Sequence, residues 1–428
     1  MNKIIIIGAG ITGLTSAYFL KKPYEVLESK QYAGGLCASY YKDGFTFDCS
    51  GHFIHLKDEK IKKFVNRIAG GVFEVKRNAC IYIDKTFVPY PFQANLSYLS
   101  DKIKKDCLDG IIKRKSVDIH KDMSFLNWSK SMFGDGITKY FMEPYNKKLW
   151  SYNLNKLNAT WVGQFVPKPD AEDIIRSASV KNKKKYGYNS VFYYPKQNGC
   201  GALIDGLLKK VKVNFNSKTT KIDIKNKVVY CKNGKCYKYN KIISTQPLLE
   251  LLKQIKSVPK SVKITSEKLL YSSVRCINIG VKSTKGVPEI LKGKHWIYVP
   301  ESKFSFYRIG IYSNVNPKSA PKHCYNFYVE HSSFSNIEYN KNTENIIKDL
   351  KKISFIRDDD KIIAHCTVDI PYAYVIFDKN KEKSLKEIND FLIKNNIFSI
   401  GRYGAWEYSF IEKNISDAKN LVEKLNYL

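Results

Sequence analysis

Ile4-Ile5-Ile6-Ile7-Gly8-Ala9-Gly10-Ile11-Thr12-Gly13 decides the fold. Four β-branched apolar residues in a row read as a strand buried on both faces, and the GxGxxG that follows without a break reads as a turn opening a helix. Leu14 to Leu20 carries a helical pattern, and Tyr24-Glu25-Val26-Leu27 is a second strand ending on Glu28, twenty residues beyond Gly8. This is a β-α-β unit of the dinucleotide-binding kind. Gly8 permits the tight turn, Gly10 lets backbone approach a pyrophosphate, and Gly13 lets helix and strand pack closely. The helix start offers free N–H groups and a partial positive charge to phosphates. Glu28 is placed to accept both hydroxyls of an adenosine ribose.

The next stretch, Glu28 to Leu36 with Gly34-Gly35, resembles the second glycine-rich turn of amine-oxidase-like flavoproteins, which implies FAD as the cofactor. At 428 residues and 43% hydrophobic, the chain can bury a large core in two or three lobes. No 18-residue apolar run is present, so no transmembrane segment is expected. The four-residue apolar start runs into the glycine turn and does not read as a signal peptide. The ten cysteines form no CxxC, so they read as reduced thiols of a cytoplasmic protein, with no metal site expected. The net charge of +32 comes from lysines spread along the chain. It invites a nucleic-acid reading, but the densest run, Lys181 to Lys185, reads as a solvated loop, and no nucleic-acid partner is expected.

Further on, Phe45 and Phe47 alternate as in a strand that leads into Gly51-His52-Phe53-Ile54-His55, where either histidine is placed to sit over a planar ring. Residues 77–83 and 86–93 read as a hairpin around Asp84-Lys85. Residues 100 to 165 look helical, with Phe125, Trp128 and Met132 at helical spacing, whereas Phe141 to Trp150 reads as too polar and aromatic for a plain helix. A strand over 188–195, a glycine turn opening a helix near Gly201, and short strands over 211–245 follow, and 263–335 reads as the strands of a substrate sheet. A final helix is expected from about Ser416. The fold class is α/β: a Rossmann-type FAD-binding domain (1–75, 200–262 and 385–428) with an inserted helical lobe (100–170) and an antiparallel substrate-binding sheet (76–99, 171–199 and 263–384).

Taken in order, GAGITG, GGLCASY, SGHFIH, YPFQANL, FMEPYNKKLW, YYPKQNGCGALIDGL, STQPL, FYRIGIYSN and GRYGAW resemble the UDP-galactopyranose mutase family, the eukaryotic-like branch most. The resemblance implies an isomerase that interconverts pyranose and furanose forms of a UDP-hexose through a sugar adduct on N5 of reduced FAD, with no net redox change. It also implies NADPH or NADH as the reductant, Arg77 helping to bind it, and leaves a homo-oligomer open. By the same resemblance Arg308 and Arg402 clamp the diphosphate, Arg402 also touching the flavin. Gly51 and His52 flank the flavin, and Gly8, Gly10, Gly13, Glu28, Gly34 and Gly35 hold it. Tyr298, Tyr374 and Tyr408 bind the phosphates, Tyr90, Phe92 and Gln93 the uridine, Asn189 the sugar or diphosphate, and Tyr145, Asn146 and Trp150 complete the substrate pocket. Glu143 stands where those relatives tend to carry arginine. The competing reading is an FAD-dependent oxidoreductase of the amine oxidase, protoporphyrinogen oxidase or desaturase type, which shares the N-terminal turns.

Overall fold

The computed structural model describes residues 3–115, 120, 122–163, 165–182, 184, 186, 187, 190–335 and 343–427. The opening strand Ile4–Ile7 is buried along its whole length because it lies inside a parallel sheet, between Tyr24–Leu27 on one side and Lys241–Ser244 on the other. Ile397–Ser399 completes that four-stranded sheet. Three segments distant in sequence thus meet in one layer. The helices Ile11–Phe19, Gly201–Leu208 and Ile411–Tyr427 pack on one face and close an aliphatic core around Ile4, Ile6, Leu14 and Leu203.

The second layer is a seven-stranded sheet in the order Lys361–Val375, Tyr271–Lys282, Cys324–Phe334, Arg308–Ile311, Trp296–Tyr298, Ala79–Ile83 and Thr86–Pro89. All its pairings are antiparallel except Trp296–Tyr298 with Ala79–Ile83. Pro371 is tolerated because Lys361–Val375 is an edge strand. The expected hairpin forms, with Asp84 and Lys85 both at positive φ. Residues 263–266, expected to open the strands of the substrate sheet, are instead the end of a helix, Lys260–Ser266, and the first strand of that stretch begins at Tyr271.

The lobe packed against this second sheet is helical: Asp101–Lys113, Phe125–Ile137 and Glu143–Trp150. The last of these corrects the expectation for Phe141 to Trp150. A π turn over Thr138–Met142 runs into an ordinary α-helix, because the polar side chain inside it is satisfied locally. Asn146 Nδ2 donates to the Met142 carbonyl at 2.7 Å and its Oδ1 accepts from Trp150 Nε1 at 3.2 Å. Tyr145, Leu149 and Trp150 then form a buried face while Lys147 stays exposed. The C-terminal helix starts at Ile411, five residues before the expected position. Its first turn is held from outside, by Glu412 accepting the N–H groups of Lys57 (2.6 Å) and Asp58 (2.7 Å). Among the described residues no helix is long and apolar enough to cross a membrane.

Candidate functional site

The two glycine turns are fastened to each other. Gly34 N–H donates to the Ala9 carbonyl at 2.9 Å, and Gly10 and Gly34 form an isolated parallel bridge. A Cβ at Gly13 would collide with the Gly8 carbonyl, which is why the helix can approach the strand this closely only with glycine there. The helix Ile11–Phe19 has no side-chain cap, so its first N–H groups face the turn unused. Glu28 is 9% exposed and braces the turn through Oε2, which accepts from Ala9 N–H at 2.9 Å, and Oε1, which accepts from Lys30 N–H at 2.9 Å.

From this turn a cavity of about 310 Å³ runs between the two layers. Gly10, Gly34, Gly35, Gly51, His52, Arg308, Arg402 and a group of tyrosines line it. A dinucleotide fits these residues: uncapped helix N–H groups, three glycines that leave the wall bare, and a buried His52 whose Nδ1 has no partner. Burial, followed by the charge of Arg402, holds the His52 pKa at about 4, so its imidazole is neutral at physiological pH.

Arg308 stands on the central sheet with Tyr298 and Glu330 as its register partners on either side. Its Nε and Nη2 donate to the two oxygens of Glu330 at 2.6 and 2.8 Å, a bidentate pair. Glu330 is 1% exposed and also accepts from Ser50 Oγ. Burial opposes its ionisation, yet the Arg308 guanidinium keeps its pKa below the usual carboxylate range. Arg402 is held differently. Its Nη1 donates to the Ser409 carbonyl at 2.7 Å and its Nη2 to the Ala373 carbonyl at 2.6 Å, and its guanidinium lies 5.4 and 5.3 Å from the ring centroids of Tyr374 and Tyr408. Among the described residues no carboxylate comes within ion-pair distance of it. Its charge is therefore free to meet an anion.

The cavity brings together Gly10, Gly34, Gly35, Gly51, His52, Tyr90, Tyr298, Arg308, Tyr374, Arg402 and Tyr408. Gly8, Gly13 and Glu28 shape the turn from behind. Tyr145 backs Tyr298 edge-on at 5.1 Å. Phe92, Gln93, Asn146 and Trp150 lie off the wall, each 4% exposed or less. Phe92 stacks on Phe141 at 5.2 Å, and Gln93 Nε2 donates to the Pro167 carbonyl at 2.6 Å. Asn189 and part of the Lys181–Lys185 run lie outside the described residues. Not foreseen from sequence are Glu330, Ser50 and Tyr328. The Tyr328 hydroxyl occupies the space a Cβ at Gly51 would need, and its ring fills the space over Gly310. Such contacts follow from strand register, which no local pattern encodes.

The model of the NAD(P)-binding Rossmann-like domain matches residues 6–68. A crystal structure of a reduced UDP-galactopyranose mutase superimposes with a TM-score of 0.92 at 27% identity, over 99% of this chain and 95% of that one. This chain is thus similar in fold to that mutase along nearly its whole length. A dTDP-fucopyranose mutase of Escherichia coli is 24% identical over 209 residues, 45% of this chain and 53% of that protein, so the chain spans about half the length of that curated relative. A protoporphyrinogen-oxidase-type protein from Exiguobacterium sp. shares the fold, with a TM-score of 0.77 at 15% identity over 100% of this chain and 99% of its own. The Rossmann-like match spans both glycine turns, which supports a dinucleotide bound at them.

Proposed function

We propose that the protein is a flavin-dependent nucleotide-sugar mutase that interconverts pyranose and furanose forms of a UDP-hexose, UDP-galactose or a close analogue. The observation that carries this reading is Arg402: a cation without a carboxylate partner among the described residues, on the wall of a cavity that begins at the dinucleotide turn. An oxidase of apolar substrates has no use for such a charge.

In this reading Gly10, Gly34, Gly35 and the uncapped helix hold the FAD pyrophosphate, and Gly51 and His52 lie against the flavin. When bound and reduced, the flavin supplies the nucleophile for the anomeric carbon. Arg402 takes the charge that gathers on the diphosphate as it leaves and holds it in place for return. Tyr298, Tyr374 and Tyr408 add hydroxyl donors, and Tyr90 borders the uridine end. His52, neutral, keeps Nδ1 available to accept or hold a proton beside the reacting sugar. The enclosing walls exclude water from an activated sugar. Arg77, 4.7 Å from the Tyr90 ring centroid, is placed at the same end for a nicotinamide reductant, NADPH or NADH.

Titrating UDP into the oxidised flavoprotein while following flavin fluorescence tests the reading. Saturable binding is expected. Absence of binding up to millimolar UDP, with flavin bleaching by an amine or another apolar reductant substrate instead, would favour the oxidoreductase reading.

A further inference from the structure

The helix Glu143–Trp150 carries a lysine, Lys148, that the nucleotide-sugar reading leaves unused. Lys148 turns inwards, and its Nζ donates to the carbonyls of Val299 at 2.6 Å and Glu301 at 3.1 Å. Both carbonyls belong to the chain that leaves the strand Trp296–Tyr298, just after the tyrosine on the cavity wall. Val299 N–H in turn donates to the Tyr307 carbonyl at 2.8 Å, and Tyr298 stands opposite Arg308 in register. One amine therefore grips the strand end that presents both residues. The same helix is tied to a further strand through the Leu149 carbonyl, which accepts from Ser332 Oγ at 2.9 Å.

This placement is costly for a lysine. Burial lowers its pKa to about 7, with Glu301 opposing the shift. The charged and titratable groups around it are Glu301, which pairs with Lys303 at 2.8 Å, and His331 on the strand Cys324–Phe334, whose own pKa is lowered by burial first and by Lys148 in part. The Phe306 ring centroid lies 6.0 Å from Nζ. An apolar side chain would fill the space without that cost but would leave the two carbonyls without this donor.

We propose that Lys148 is a positioning residue for diphosphate binding, its amine fastening the Tyr298–Glu301 segment to the helical lobe and so fixing Tyr298 and Arg308 at the cavity. For its ligand the inference rests on the mutase reading; the tie itself does not. When protonated, Nζ makes charge-assisted bonds to both carbonyls, and when neutral it makes weaker ones. Raising the pH through about 7 therefore loosens the grip. Global stability moves the other way: the folded pKa lies below that of a free lysine, so between the two the unfolded chain binds a proton that the folded chain does not, and stability rises with pH across that window. A lysine of merely structural importance would change stability alone.

The test uses the oxidised holoprotein and its K148M and K148R variants, with UDP-galactopyranose as probe because its diphosphate diester does not titrate from about pH 6 to about pH 8.5. Wild-type affinity is expected to fall severalfold across that range. K148M is expected to bind about tenfold more weakly with a flat profile while keeping its FAD, and K148R, charged throughout, to restore affinity with a flat profile. Amide hydrogen exchange over residues 296–308 is expected to quicken in K148M and nowhere else. K148M with wild-type affinity and pH profile would overturn the proposal. If the wild type fails to bind the probe at all, the mutase reading falls, and exchange over 296–308 decides alone: protection unchanged in K148M overturns the tie.

Discussion

Two arginines face one cavity and differ in what balances them. Arg308, on the sheet, spends two donors on the buried carboxylate of Glu330, whereas Arg402, on the short helix Gly401–Gly404, is held by two carbonyls and two aromatic rings that leave its charge uncancelled. The first arginine is part of the scaffold as well as of the wall. The second is anchored without being neutralised, which is how a protein keeps a cation ready for an anionic ligand.

Removing Arg308 sharpens this comparison most. R308M leaves Glu330 buried without the guanidinium that balances its charge, so a loss of roughly 3–5 kcal/mol of stability is expected in denaturant unfolding, and R308M/E330Q should recover much of it. R402M should instead lose less stability than R308M, because it leaves two neutral carbonyls rather than a buried carboxylate without a donor, and should weaken UDP binding about a hundredfold, read by fluorescence titration. If both variants lost stability equally, the distinction between the two arginines would be wrong.

His52 tests the electrostatics between them. Its folded pKa of about 4 lies below the usual 6.5, so it contributes stability above pH 6.5 that is lost as pH falls towards 4. Exchanging it for asparagine should flatten that part of the stability profile by on the order of 3 kcal/mol, with His55 and His295, also near 4, supplying the slope that remains. The smallest effect is expected for Y408L, which removes one ring beside Arg402 and should weaken UDP binding roughly three- to tenfold without touching FAD content.

The parts of the molecule that are local in sequence were legible in it. Ile4 to Glu28 reads correctly because strand, turn, helix and acidic residue lie within one short stretch and each has a backbone reason. The Asp84-Lys85 hairpin reads for the same reason. Glu330 did not, since its pairing with Arg308 depends on the register of strands twenty-two residues apart. Glu143–Trp150 was misjudged because the Asn146 side chain is satisfied by Met142 and Trp150, a solution invisible to polarity alone. Phe92, Gln93, Asn146 and Trp150 show how a motif can name the right neighbourhood but not the exposed layer, since a wall residue and the one packed behind it carry similar aromatic and amide character.

The most direct measurement is anaerobic incubation of the flavoprotein with UDP-galactofuranose, with and without dithionite, followed by chromatographic separation of the two UDP-sugars. Conversion to UDP-galactopyranose with dithionite and none without it is the predicted result. A fully reduced, FAD-loaded protein that binds UDP and yet leaves UDP-galactofuranose and other UDP-hexofuranoses unchanged would contradict it.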